Sequence, residues 1–266
     1  MNPQRVNPVF VKVCGMTNLD NALMSIEAGA DALGFNFWPG SPRCITPQAA
    51  AEITAQLGSG TVKVGVFVDA PAADIIETIR SAGLDLAQIH GELPLLNPDR
   101  KFQSRDREAA DVSAGQPHVD TSVDAADESV CATKNETTVI SAAGREAMAP
   151  SSNVPFWHAL SAGSELESRV QAALAAGAQA VLIDTPAGAR RGGTGRSFDW
   201  SLVRGLPGRI VVAGGLGPDN VAAAIRAARP WGVDACSRLE LAPGRKDPAK
   251  VRAFIQAVRD AELGGS

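Results

Sequence analysis

Hydrophobic positions along the chain alternate between short apolar runs and longer amphipathic segments. The short runs have the length of buried parallel strands, and several end abruptly in glycine or in a reactive side chain. Eight such runs are found: Val9–Cys14, Ala32–Phe37, Lys63–Val68, Asp85–His90, Phe156–Ala159, Ala180–Asp184, Arg209–Ala213 and Val233–Cys236. Strands that alternate with amphipathic segments are typical of β/α units that build a parallel sheet.

The amphipathic segments between and after these strands have helical periodicity. They are Asn18–Ala28, Pro47–Leu57, Ala72–Ala82, Glu165–Ala176, Pro218–Ala228 and Pro248–Glu262. Proline at helix starts, as at Pro248, and glycine just after helix ends, as at Gly83, mark several boundaries. Eight strands favour closure, so the α/β pattern predicts a (β/α)₈ TIM barrel as a single domain over residues 1–266. An open, flavodoxin-like sheet is the alternative.

One long segment interrupts the alternation after the fourth strand. Residues 97–153 are mostly polar, small or charged, with scattered valines and no sustained period. Such a composition buries little apolar surface and predicts a flexible insertion, with one potential helix near 103–112. Two interpretations fit its position: a surface insertion that the barrel tolerates, and a mobile lid over the catalytic face.

Composition narrows the class of protein. The 266 residues carry a net charge of −4 without any run of lysine and arginine, which argues against nucleic acid or an anionic membrane as a partner. No apolar run reaches the ~20 residues of a spanning helix, and the N-terminus leads straight into a strand without a signal peptide. The cysteines at 14, 44, 131 and 236 have no C-x-x-C spacing. We therefore expect neither a disulfide framework nor a zinc site, and a cytoplasmic location.

Two reactive side chains stand where predicted strands end. Cys14 closes the first strand, and Asp184 closes the sixth. Since barrel strands present their C-terminal ends to one mouth, these groups would face each other across it. A thiolate that accepts a proton and a carboxylic acid that donates one suffice for a 1,2 proton shift. The competing structural interpretations are a small core residue for Cys14 and a loop cap for Asp184.

Further candidates follow other strands. Glycine lets backbone N–H groups approach an anion, and barrels often hold phosphate in the loops after strands seven and eight. Arg43 could pair with a carboxylate or phosphate, and His90 and Asp234 are polar at the barrel rim, where they could equally be satisfied structural residues. The candidates for phosphate are Gly193, Thr194, Gly195, Gly214, Gly215 and Ser237.

Motifs along the whole chain, apart from the insertion, resemble the phosphoribosylanthranilate isomerase family in the family's order. They are Lys12-Val-Cys-Gly-Met-Thr17; Leu33-Gly-Phe-Asn-Phe37 with Ser41-Pro-Arg43; Val64-Gly-Val-Phe-Val68; Gln88-Ile-His-Gly91; Asp184-Thr185 with Gly192-Gly-Thr-Gly195 and Phe198-Asp-Trp200; Ala213-Gly-Gly-Leu216 with Pro218-x-Asn220; and Gly232-Val-Asp234 running to Pro243-Gly-x-Lys-Asp247. The resemblance implies an isomerase of tryptophan biosynthesis that performs an Amadori rearrangement of N-(5-phosphoribosyl)anthranilate.

The resemblance also implies roles for the candidate residues. Cys14 would be the general base at the sugar C2′, and Asp184 the general acid that opens the furanose ring. The glycine turns and Ser237 would hold the phosphate. Neither a metal nor a cofactor is implied, and the chain would be a monomer or a homodimer. The residues implied to contact the anthranilate or ribose are Arg43, His90 and Asp234.

After the eighth strand the chain departs from the family pattern Ser-Ser-Gly-Val-Glu and reads Cys236-Ser-Arg-Leu-Glu240. Arg238 adds a side chain where the family has glycine. Either its guanidinium clamps the phosphate, or the phosphate site is weakened and the substrate differs. A related phosphosugar isomerase or epimerase and a non-catalytic phosphometabolite-binding paralogue are therefore alternatives. The missing histidine cluster argues against a metal-dependent epimerase, and the presence of both Cys14 and Asp184 argues against a mere binder.

Overall fold

The apolar runs of the sequence form a closed barrel. The computed structural model describes residues 8–93, 154–185 and 199–263. Neighbouring strands pair in parallel in the order β1 to β8, and β8 pairs back onto β1. The prediction of a (β/α)₈ TIM barrel is confirmed, and the open-sheet alternative is wrong. The strands are β1 (Phe10–Cys14), β2 (Ala32–Asn36), β3 (Val62–Val68), β4 (Leu86–His90), β5 (Phe156–Ser161), β6 (Ala180–Asp184), β7 (Ile210–Val212) and β8 (Gly232–Ala235).

Side chains satisfy the first backbone N–H groups at the starts of some of the helices. The side chain of Asn18 accepts the N–H of Asn21, and that of Thr46 accepts the N–H of Ala49, as N-cap residues do. No helix in the described ranges has the length and apolar character needed to cross a membrane. The helices are α1 (Leu19–Glu27), α2 (Pro47–Thr54), α3 (Ala72–Ser81), α4 (Leu166–Ala175), α5 (Val221–Ala228) and α6 (Pro248–Leu263).

Two details near the C-terminus differ from the predicted elements. Helix α5 begins at Val221 rather than Pro218, because Asn220 Oδ1 accepts the N–H of Gly217 at 2.8 Å and holds the intervening residues in a turn. A short antiparallel pair, β9 (Glu240–Ala242) and β10 (Arg245–Lys246), follows β8. The predicted insertion at 97–153, including its potential helix, lies outside the described residues.

Aromatic rings occupy the N-terminal end of the barrel interior. Phe10 stacks on Trp231 with ring centroids 4.5 Å apart, and Trp157 meets both rings edge-on at 5.9 and 6.0 Å. These residues stand within one residue of the starts of β1, β8 and β5. Aliphatic side chains such as Val64 and Leu182 continue the filling along the strands. The apolar interior therefore ends below the C-terminal mouth, where polar side chains begin.

The layer between strands and helices is the larger apolar cluster, and Ile75 on α3 is fully buried in it. We expect Ile75→Ala to lower the free energy of unfolding by about 2–5 kcal/mol, since the cavity it leaves cannot close. Leu202→Ala is the control: Leu202 is 56% exposed, and its loss should change stability by less than about 0.5 kcal/mol. Urea unfolding followed by tryptophan fluorescence measures both, and equal losses would contradict the packing of α3.

Candidate active site

Polar side chains of β1 and β8 project together into the barrel mouth. The register pairs Lys12 with Asp234, so Cys14 and Cys236, two residues further along each chain segment, lie next to each other. Side chains two residues apart share one face of a strand, which directs this set toward the barrel interior. Lys12 Nζ lies 3.0 Å from Asp234 Oδ1, and both residues are buried.

The surroundings of the two sulfurs give them different charges. A hydrogen bond from the Cys236 thiol lowers the pKa of Cys14 well below its ordinary value; burial opposes this shift, and the ammonium groups of Lys12 and Lys246 reinforce it. The same hydrogen bond, together with burial, raises the pKa of Cys236. The carboxylate of Glu240, 4.0 Å from the Cys236 sulfur, also favours the protonated thiol. Cys14 is therefore the thiolate of the pair.

Lys12 stays charged inside the barrel. Burial lowers its pKa, but the Asp234 carboxylate and the Cys14 thiolate outweigh that effect and raise the pKa above its ordinary value. Burial raises the pKa of Asp234 to about 7, although Lys12 pulls it down. The sequence motifs did not single out a role for Lys12; a lysine at an inward position of an apolar strand is the signal that points to it.

The described cysteines differ in their bonding. Cys14 and Cys236 are free thiols. Cys44, which is buried after β2, is disulfide-bonded, so the expectation is wrong for that residue. Within the described ranges, no group of three or more His, Cys, Asp or Glu side chains could hold a metal ion.

Arg43 is held by a carboxylate of its own chain. Its Nε and Nη2 donate to Glu240 at 2.6–3.0 Å, and Lys246 Nζ donates to Glu240 Oε1 at 2.8 Å. Burial raises the pKa of Glu240, but these hydrogen bonds outweigh it and the pKa lies below its ordinary value. The roles of Glu240 and Lys246 could not be predicted from the sequence, because only the hairpin β9–β10 brings them next to Arg43.

The opposite wall of the mouth carries Asp184 and His90. Asp184 ends β6, and its Oδ1 accepts the N–H of Thr185 at 2.7 Å. His90 ends β4 with its Nε2 2.9 Å from Gln88 Nε2, and burial lowers the pKa of this imidazole, which is neutral at pH 7. Gln88 Oε1 is buried and lacks a hydrogen-bond partner among the described residues. It adds to the site a hydrogen-bond acceptor that the sequence motifs did not indicate.

The glycine turn after β7 lies against Asp184. Gly214 and Gly215 have φ angles of +84° and +64°, and a Cβ on Gly214 would lie 2.4 Å from Asp184 Oδ1. Glycine is therefore required at 214 on both conformational and steric grounds. Ser237 begins the 3₁₀ turn that follows β8. The other phosphate candidates, Gly193, Thr194 and Gly195, lie outside the described residues.

Arg238 contacts protein groups near this turn. Its Nη2 lies 2.7 and 2.8 Å from the two carboxylate oxygens of Asp219, and its Nη1 donates to the Gly215 carbonyl at 3.1 Å. The backbone of Arg238 does not adopt the left-handed conformation that would favour glycine. The guanidinium thus ties the turn after β8 to the turn after β7.

These side chains surround a cavity of about 850 Å³ at the C-terminal ends of the strands. Its size suits a small molecule. Every predicted site residue within the described ranges lines it: Cys14, Arg43, His90, Asp184, Gly214, Gly215, Asp234, Ser237 and Arg238.

A closed barrel with a thiolate and a carboxyl group across its mouth defines an enzyme class: barrel enzymes that move protons on a small molecule. Residues 11–140 and 99–257 match the family model of N-(5'phosphoribosyl)anthranilate (PRA) isomerase. The chain belongs to this family, as its motifs predicted.

Individual relatives agree with the family match. The N-(5'-phosphoribosyl)anthranilate isomerase of Pelobacter propionicus is 37% identical over 255 residues, which cover 95% of this chain and 96% of the relative. Phosphoribosyl anthranilate isomerase from Thermotoga maritima has a TM-score of 0.67 at 30% identity, covering 95% of this chain and 99% of its own. A further isomerase, in complex with reduced 1-(o-carboxyphenylamino)-1-deoxyribulose 5-phosphate, has a TM-score of 0.64 at 29% identity over the same shares.

The charge of Cys14 can be tested by alkylation. We expect iodoacetamide to modify Cys14 with a pH midpoint below the ~8.5 of an ordinary cysteine, because the thiolate accepts a hydrogen bond and lies near cations. Lys12→Met removes one of those cations and should raise the midpoint, which peptide mass spectrometry follows at Cys14. Lys63→Met is the control, since Lys63 pairs with Asp85 at 3.1 Å near the opposite ends of the strands. An unchanged midpoint in Lys12→Met would contradict the assignment.

Proposed function

We propose that this chain converts N-(5'-phosphoribosyl)anthranilate into 1-(2-carboxyphenylamino)-1-deoxyribulose 5-phosphate, the Amadori rearrangement of tryptophan biosynthesis. One observation carries the assignment of residues: a thiolate at Cys14 and a carboxyl group at Asp184 line the same cavity from different strands. Membership of the isomerase family supplies the substrate class. A cytoplasmic location belongs to the same proposal.

In the first step Asp184 acts as the general acid. It gives a proton to the furanose ring oxygen. The bond from that oxygen to C1′ breaks while the lone pair of the anthranilate nitrogen forms a C1′=N double bond. The product of the step is an open-chain iminium ion, and the cavity that Asp184 lines holds it for the next proton transfer.

In the second step the Cys14 thiolate acts as the general base. It removes the proton from C2′, and the C–H electrons form a C1′=C2′ double bond while the iminium electrons return to nitrogen. The resulting enolamine tautomerises to the ketone by protonation at C1′ and loss of the hydroxyl proton at C2′. Cys14 is suited to this role because Lys12 and the Cys236 thiol stabilise its ionised form.

Other residues bind and orient the substrate in this proposal. The phosphate is held by Gly214, Gly215 and Ser237, since backbone N–H groups in positive-φ turns form concave anion sites. Arg43 is already fixed by Glu240, so its guanidinium meets the anthranilate carboxylate without losing side-chain freedom on binding. The residues that contact the anthranilate or ribose are Arg43, His90 and Asp234.

The two proton-transfer roles predict the effect of isosteric variants. Asp184→Asn cannot donate the proton, and the hydroxyl of Cys14→Ser does not ionise at neutral pH. Each should lower kcat by about 10²–10⁴-fold and leave product binding intact. The decay of anthranilate fluorescence on freshly prepared substrate measures turnover, and Asp74→Asn, which is exposed on α3, is the control. Full turnover in either variant would exclude that residue from its role, and binding without turnover in the unaltered protein would favour a paralogue that only binds.

The two interpretations of Arg238 predict different kinetics. The pairing with Asp219 supports an indirect role, in which Arg238 holds the phosphate-binding turn in place. Arg238→Ala and Asp219→Ala should then raise KM by similar factors of about 2–5, as expected for a partly exposed ion pair. The double variant should be no worse than either single one. A large increase in KM for Arg238→Ala with no change for Asp219→Ala would instead indicate direct contact with the phosphate.

A further inference from the structure

Two free cysteines meet at the barrel mouth. Cys14 and Cys236 each stand two residues beyond the Lys12–Asp234 pair of the neighbouring strands β1 and β8. Adjacent strands run about 4.8 Å apart, which falls within the roughly 4.4–6.8 Å between Cα atoms that a disulfide spans. Both side chains line the same cavity at the barrel mouth. The spacing of the two strands is therefore compatible with a bond between the sulfurs.

The charges around the two sulfurs give the two cysteines different roles in oxidation. Cys14 beside Lys12 is the thiolate, which is the form that attacks a peroxide. Cys236 lies 3.8 Å from Lys246 Nζ and 4.0 Å from Glu240 Oε1. Once Cys14 is oxidised and has lost its negative charge, the repulsion that keeps Cys236 protonated is reduced, and Lys246 then favours its ionisation. Cys236 is thus placed to act as the resolving thiol.

A small oxidant can reach both groups. Cys14 is 8% exposed and Cys236 somewhat more, and both line the same cavity at the mouth. A hydroperoxide of the size of a water molecule or two fits where a sugar phosphate fits. Serine in place of Cys236 could not form the bond.

We propose that Cys14 and Cys236 are a site of reversible oxidation by hydroperoxides, and that the disulfide they form switches turnover off. The Cys14 thiolate attacks one peroxide oxygen, the O–O bond breaks, and with hydrogen peroxide the leaving hydroxide takes up a proton as water. The sulfenic acid on Cys14 is then attacked by Cys236, which forms the S–S bond and releases a second water. Two thiols are oxidised by two electrons and the peroxide is reduced. An external thiol reverses the reaction by exchange.

The loss of turnover rests on the proposed role of Cys14 as the base, whereas the bond itself does not. The test therefore measures linkage and turnover separately. Full-length protein is reduced under native conditions, desalted and treated with hydrogen peroxide, and linked peptides are identified by mass spectrometry after the remaining thiols are alkylated. Turnover is followed by anthranilate fluorescence before and after addition of dithiothreitol. Cys236→Ser is the matched variant, with each protein compared with its own reduced rate.

We expect a peptide linked through Cys14 and Cys236 and a fall in turnover of about 10²-fold or more, the effect of losing a general base, with full recovery in dithiothreitol. In Cys236→Ser, peroxide should carry Cys14 on to the sulfinic acid, so turnover should not return. No linked peptide in inactivated wild-type protein, or equal recovery in both proteins, would overturn the proposed disulfide. A linked protein that retains full turnover would instead support the bond and contradict Cys14 as the base.

Discussion

The buried ion pair between Lys12 and Asp234 joins the first strand of the barrel to the last. It lies inside the ring of strands, between the apolar filling and the open mouth, at 3.0 Å. A buried ammonium group costs several kcal/mol in desolvation unless it is paired, so these strands must align in the register that brings the carboxylate beside it. The strand register that closes the barrel is therefore also the register that positions the polar side chains of the site. The same register sets Cys14 beside Cys236.

From this pair toward the barrel mouth, positively and negatively charged side chains alternate. Lys12 neighbours both Asp234 and the Cys14 thiolate; beyond them, Lys246 and Arg43 share the carboxylate of Glu240. Each cation is held by an anion at hydrogen-bond distance, so the donors are fixed before any substrate arrives. Such preorganisation is what acid–base catalysis requires, because little reorganisation remains to be done during proton transfer. The network also favours the ionised form of Cys14.

The glycine turn after β7 is built differently. Gly214 and Gly215 supply positive φ angles that bring the backbone against Asp184, and Arg238 crosses from the neighbouring turn to Asp219 and the Gly215 carbonyl. An arginine at a position where the family pattern has glycine is accommodated because the side chain extends along the rim and meets a carboxylate there. The arginine connects the two turns through noncovalent contacts, and the glycine turn keeps its positive φ angles.

The amino-acid sequence by itself determined the alternation of strands and helices, the closed barrel, and the strand ends on which Cys14, His90 and Asp184 stand. These follow from local periodicity and from the rule that strands of a parallel barrel share one mouth. Only the tertiary structure decided the partners: Lys12 with Asp234, Arg43 with Glu240, and Arg238 with Asp219. Such pairs join residues far apart in the chain, and periodicity carries no information about which long side chains meet. The charge of Cys14 was decided in the same way, because the pKa of a thiol depends on the groups that folding places around it.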